Sequence, residues 1–127
     1  MPRVIHFEIP ADDPERAAEF YRKVFDWKIE KWAGPMDYWM CRTGPEGEPG
    51  INGAIMHRMS PKTGDSPAAY ICTIGVPGFD DYARRVAEAG GSLTMPKQVV
   101  PGVGWFAYCT DSEGNLFGII EENASAK

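Results

Sequence analysis

Residues 3–25 read RVIHFEIPADDPERAAEFYRKVF, and residues 70–88 read YICTIGVPGFDDYARRVAE. Each stretch opens as a strand and continues as a helix. From Arg3 to Ile9, period-two alternation sets Ile5, Phe7 and Ile9 on one face and Val4, His6 and Glu8 on the other. Asp13 followed by Pro14 predicts a helix start, with a carboxylate to cap free N–H groups and a proline suited to the first helical position. Ala17, Phe20, Tyr21 and Val24 then recur at helical spacing and predict the buried stripe. In the second stretch, a strand from Tyr70 to Val76 and a Pro77-Gly78 turn lead to the stripe Phe79, Tyr82, Ala83, Val86. Gly90-Gly91 closes that helix with the positive φ that a C-terminal cap favours.

Three strands are expected after each helix. They are 27–32, 37–43 and 51–58 in the first half, and 92–100, 103–110 and 115–122 in the second, separated by turn-rich pieces such as GPEGEPG. Residues 59–68, MSPKTGDSPA, read as a polar linker. Matching the halves gives a constant offset: His6 with Ile71, Ala17 and Ala18 with Tyr82 and Ala83, and Gly53 with Gly118 are all 65 apart. Thr43-x-x-Glu46-Gly47 matches Thr110-x-x-Glu113-Gly114 at 67. Order, stripe, turn and terminal strand recur together, which points to duplication. The expected fold is α+β: one domain, 1–127, of two tandem βαβββ modules, module 1 at 1–58, the linker at 59–68 and module 2 at 69–123. Curved mixed sheets would surround a cleft, with the helices outside.

The 127 residues suit a single packed core. A net charge of −5, without a Lys/Arg cluster to neutralise a row of phosphates, argues against nucleic acid as the partner. No apolar run is long enough to span a membrane, and the N-terminus lacks the apolar segment of a signal peptide. Cys41, Cys72 and Cys109 are widely spaced and odd in number, as expected of reduced thiols in a cytoplasmic protein. Dinucleotide, P-loop and nucleophile-elbow motifs are all missing; EGEPG and PGVG are turns.

Three stretches, HFEIPADDPERAAEFYRKVF, AAYICTIGV and DSEGNLFGIIEE, resemble the vicinal-oxygen-chelate superfamily of lactoylglutathione lyases, bleomycin-resistance proteins and extradiol dioxygenases. With PMDYW and GINGAIM, the chain is similar to a glyoxalase-like subgroup of unassigned function. The resemblance implies the paired-module fold, and often a homodimer, but not one activity, because this fold serves lyases, dioxygenases, epimerases and drug-binding proteins. It also implies a divalent metal in the enzymes, with one His, Gln or Glu ligand from the first and last strand of each module. By the 65-residue repeat those positions fall on His6, Gly53, Ile71 and Gly118, of which only His6 carries a donor side chain. A catalytic metal needs about three protein ligands. The expectation is therefore no metal and no cofactor, with the glycines either making room for a ligand against the sheet or relieving strand curvature.

What chemistry is left rests on His6 and Glu8, two apart on one strand face. A carboxylate can orient an imidazole as a general base, or simply satisfy a buried histidine. His57 ends the face of Ile51, Gly53 and Ile55, and Glu122 shares the face of Leu116, Gly118 and Ile120. Tyr38, Trp39, Trp105, Phe106 and Tyr108 crowd the third strands; one alternating set should face the cleft, and which one is open from sequence. Aromatic walls with few polar groups suit a flat apolar ligand. The candidate ligand-binding set is His6, Glu8, Tyr38, Trp39, Gly53, His57, Trp105, Phe106, Leu116, Gly118 and Glu122, with His6 and Glu8 the catalytic candidates. Three functions follow: a metal-free binder of a small aromatic or apolar molecule, a glyoxalase-like lyase or isomerase, or a non-catalytic dimer or interaction domain.

Overall fold

A computed structural model describes residues 2–59 and 69–127, so the linker reading at 59–68 lies, apart from Met59, outside the described residues. The chain divides into two compact units, His6–Ile71 and Met1–Ile5 with Cys72–Lys127. Both are α+β, as the sequence predicts.

In the first unit, strand β1 (Arg3–Ala11) leads to helix α1 (Pro14–Phe25), then β2 (Lys28–Lys31), β3 (Tyr38–Arg42) and β4 (Gly53–His57). The Asp13 carboxylate accepts from the Arg16 backbone N–H at 3.1 Å, the cap expected from Asp-Pro, a contribution of about 1 kcal/mol. The sheet runs β2-β3-β4-β1. β4 pairs parallel with β1 (Phe7 opposite Gly53, Glu8 opposite Ala54, Ile9 opposite Ile55) and antiparallel with β3 (Trp39 opposite Ile55). The core joins Phe7, Ile9, Ala11, Ile29, Trp39, Cys41 and Ile55 to Ala18 of the helix, with Ala17 and Tyr21 beside them. The predicted helical stripe needs correcting here. Ala18 is buried, whereas Phe20 and Val24 are more than half exposed. Ala17, Ala18 and Tyr21 form the side of α1 that packs on the sheet, which leaves Phe20 and Val24 facing outward.

In the second unit, β5 (Ile71–Gly75) precedes α2 (Phe79–Glu88), β6 (Ser92–Leu93), β7 (Gln98–Val100), β8 (Gly104–Thr110) and β9 (Leu116–Glu122). β5 and β9 are parallel, β9 and β8 antiparallel, and β6 and β7 both pair antiparallel with β8. The single strand expected over 92–100 is thus two, because Pro96 has no N–H for the ladder. Gly78 at the N-cap of α2 has no side chain, and Glu121 on β9 fills the role by accepting from the Phe79 N–H at 2.7 Å. Between β8 and β9 the Asp111 carboxylate accepts from the N–H groups of Glu113 and Asn115 while Gly114 takes φ +82°. The Asn115 side-chain amide, donating to Asp111 Oδ2 at 3.0 Å, together with those backbone bonds holds the Asp111 carboxyl below the usual range.

Two interior glycines fail differently if filled. A Cβ on Gly53 would lie 2.5 Å from both the ring and the backbone oxygen of Phe7, and one on Gly118 would lie 2.8 Å from the Phe106 ring. Gly53→Ala and Gly118→Ala are each expected to cost about 1–3 kcal/mol in thermal or urea unfolding. Phe106→Leu should restore at least half of the Gly118→Ala loss. Trimming Phe7 should not rescue Gly53→Ala, since the main-chain contact persists. Equal rescue of both would contradict this packing.

Candidate functional site

Register assigns the faces that the sequence left open. In the first unit, Phe7, Ile9, Trp39, Cys41, Gly53 and Ile55 line the helix side. The opposite face carries His6, Glu8, Tyr38, Met40, Ala54 and Met56. There Tyr38 Oη donates a hydrogen bond to Glu8 Oε2, and His6 Nε2 lies 3.4 Å from the same phenol oxygen. The His6 and Tyr38 rings stack with a 16° interplanar angle, and Trp32 packs against Tyr38. Glu8 is 4% exposed, and His6 and Tyr38 are half-buried. His6 and Glu8 are thus brought together, with Tyr38 as the link between them.

In the second unit the helix side holds Trp105, Ala107, Cys109, Phe117 and Ile119. The opposite face carries Thr73, Phe106, Tyr108, Leu116, Gly118, Ile120 and Glu122. Phe106 meets Tyr108 edge to face at 4.7 Å and covers Gly118. The Thr73 hydroxyl is buried and, among the described residues, the sole buried side-chain polar atom without a partner.

Four candidates therefore move to the helix side. Trp39 packs in the core and donates from Nε1 to Glu15 Oε2 at 2.8 Å. Gly53 lies against Phe7, and Trp105 joins the core under α2. His57 sits edge-on to Trp39 with its Nε2 3.5 Å from Asp37 Oδ2. The reason is a slip of one residue in the repeat. Phe7 opposes Gly53 while Cys72 opposes Phe117, so the offset of the terminal strand is 117 − 53 = 64. A one-residue shift exchanges the faces of a strand. The partner of Gly118 in the first unit is therefore Ala54. The sequence reading also missed Met40, Ala54, Met56, Thr73 and Ile120 on these faces; Met40 follows from Tyr38 at i+2 once the face of Tyr38 is known.

In the corrected register the positions matching the metal ligands are His6, Ala54, Ile71 and Gly118. Methyl, alkyl and hydrogen side chains give a cation nothing to bind, so this residue set does not fit a divalent metal. Among the described residues, no three His, Cys, Asp or Glu side chains form a group able to hold one.

The two-unit βαβββ architecture and these strand faces agree with a match to the family model. The chain belongs to the Glyoxalase/Bleomycin resistance protein/Dioxygenase superfamily, whose model matches residues 3–119. Among solved structures it is similar to a methylmalonyl-CoA epimerase in complex with methylmalonyl-CoA and ammonium (13% identity, TM-score 0.73, covering 100% of this chain and 99% of that one). A Streptomyces coelicolor methylmalonyl-CoA epimerase variant in complex with 2-nitronate-propionyl-CoA is also similar (14%, TM-score 0.70, 98% and 97%). So is a hypothetical protein from Bacillus halodurans C-125 (17%, TM-score 0.63, 99% and 98%). At these identities the likeness is one of fold. Among curated proteins none matches the sequence.

Burial pushes the His6 imidazole below its ordinary value of 6.5, because the cation loses hydration. The unfolded chain then binds that proton more readily than the folded one. The associated stability is present above about pH 6.5 and is lost as pH falls from there toward the folded-state value. An NMR titration is expected to place the His6 midpoint below 6.5, and His6→Gln should flatten this part of the acid limb of stability. A midpoint at or above the ordinary value would contradict the burial argument.

Proposed function

We propose that the chain binds a small, largely apolar or aromatic molecule on the His6–Glu8–Tyr38 face without a divalent metal. The observation that carries this reading is the buried Glu8 carboxylate bonded by Tyr38 Oη, with His6 alongside and Met40, Ala54 and Met56 sharing the face. A few fixed polar groups set in an apolar wall are the usual makings of a small-molecule site. The acyl-CoA ligands of the two epimerase structures support a small-molecule role for the fold.

A second reading, a lyase or isomerase, is favoured by one feature: a hydrogen-bonded chain from a carboxylate through a phenol to an imidazole can orient a base. We also propose that the protein is a cytoplasmic homodimer. The free Cys41, Cys72 and Cys109 support a reducing compartment. The exposed Phe20, Val24 and Phe25 on α1, with Tyr70, support self-association. Among the described residues no helix is long and apolar enough to cross a membrane.

Thermal unfolding against a panel of metabolites and antibiotics, with and without EDTA, tests the binding reading. A ligand present at 100 times its Kd should stabilise by about 2.7 kcal/mol, a rise in Tm of roughly 10 °C. The rise should survive EDTA and shrink in Tyr38→Phe. Stabilisation that disappears with EDTA would defeat the metal-free reading, and a panel without any effect would favour the interaction-domain alternative.

A further inference from the structure

The bonding of Tyr38 has a consequence for the far side of the His6 ring. A phenol owns one proton, and Tyr38 gives it to Glu8 Oε2. Its oxygen is then left to accept, so the His6 Nε2 at 3.4 Å must be the donor. A neutral imidazole carries a single N–H, and with that proton on Nε2 the Nδ1 atom holds a lone pair. Among the described residues Nδ1 has no hydrogen-bond partner. It is also absent from the buried unpartnered atoms, which among these residues are Thr73 Oγ1 alone. Among the described residues the Nδ1 lone pair is therefore open to a donor.

Resting on the binding reading above, we propose that Glu8 and Tyr38 fix His6 as its Nε2–H tautomer, so that Nδ1 accepts a hydrogen bond from the ligand and the ligand class is a small aromatic or apolar molecule bearing an O–H or N–H. Tyr38 and Glu8 are positioning residues that act through His6. A ligand with acceptors only would leave the Nδ1 lone pair facing another lone pair, whereas a donor of the same shape would complete the chain. This also orders the polar groups: ligand donor to Nδ1, Nε2–H to Tyr38, and the phenol proton to the buried carboxylate. His6 and Tyr38 then each donate once and accept once, and the chain ends on Glu8 Oε2.

The free full-length protein provides the first test. Nitrogen chemical shifts of the His6 ring at pH 7.5 should report Nε2–H. That tautomer should persist in Glu8→Gln, where an amide oxygen still accepts from Tyr38, and be lost to a mixture in Tyr38→Phe. An Nδ1–H tautomer in the wild type, or no change in Tyr38→Phe with the fold intact by NMR, would overturn the relay. For the ligand, phenol and anisole have the same ring but differ in the O–H. Titrated while the His6 signals are followed, phenol should bind about tenfold more tightly, the worth of one net hydrogen bond. That preference should vanish in His6→Leu. Equal affinity of the two would overturn the donor requirement. If neither probe perturbs this face, the aromatic-ligand reading falls and the ligand half of the inference with it, while the tautomer result still judges the relay on its own.

Discussion

The strands that feed the two cores split their side chains between a face packed toward a helix and the face opposite, and the pairing register decides which residue goes where. Parallel pairing of β1 with β4 aligns Phe7 with Gly53 and Glu8 with Ala54. From that alignment follow the burial of Ile55 and Trp39 under α1 and the gathering of His6, Glu8 and Tyr38 on the other side. Packing enforces it. Gly53 has no space for a side chain above Phe7, and the Ile9–Ile55 pair fills the interior. Moving β4 by one residue would carry Gly53, Ile55 and His57 to the opposite face and set Ala54 and Met56 against the helix side.

Within this frame the buried Glu8 is the costly element. A carboxyl group taken from water needs hydrogen-bond partners, and Tyr38 is one of them. The arrangement turns a burial penalty into orientation: the phenol that satisfies Glu8 also fixes the ring edge of His6 that it meets. The second unit makes the opposite choice at the matching position. Thr73 replaces Glu8, and the ring of Phe106 lies over Gly118. One unit therefore presents polar chemistry and the other an aromatic surface, from the same strand order.

The two halves also show how a duplicated pattern diverges. Asp13 caps α1 from its own sequence neighbourhood, but α2 begins at Gly78 and relies on Glu121 from a distant strand. The strand that Pro96 interrupts still lies along β8 on either side of the break, at Ser92–Leu93 and at Gln98–Val100. Superfamily membership and fold survive such changes because they depend on element order and apolar faces. The metal positions do not, since they require particular donor atoms at four points.

Local patterns were enough to read both βαβββ modules from the sequence, together with the Asp13 cap and the shared face of His6 and Glu8, because each depends on residues a few positions apart. The same reading had no means to choose between Tyr38 and Trp39, or between Trp105 and Phe106. Neighbours on a strand always point oppositely, and the choice rests on partners across the sheet. It also matched Gly53 to Gly118, since a 65-residue repeat tracks chain length while the faces follow a hydrogen-bond register of 64. Local order was thus settled by covalent neighbours, and the joining of His6, Tyr38 and Glu8 was settled by tertiary pairing, which alone brings residue 38 beside residues 6 and 8.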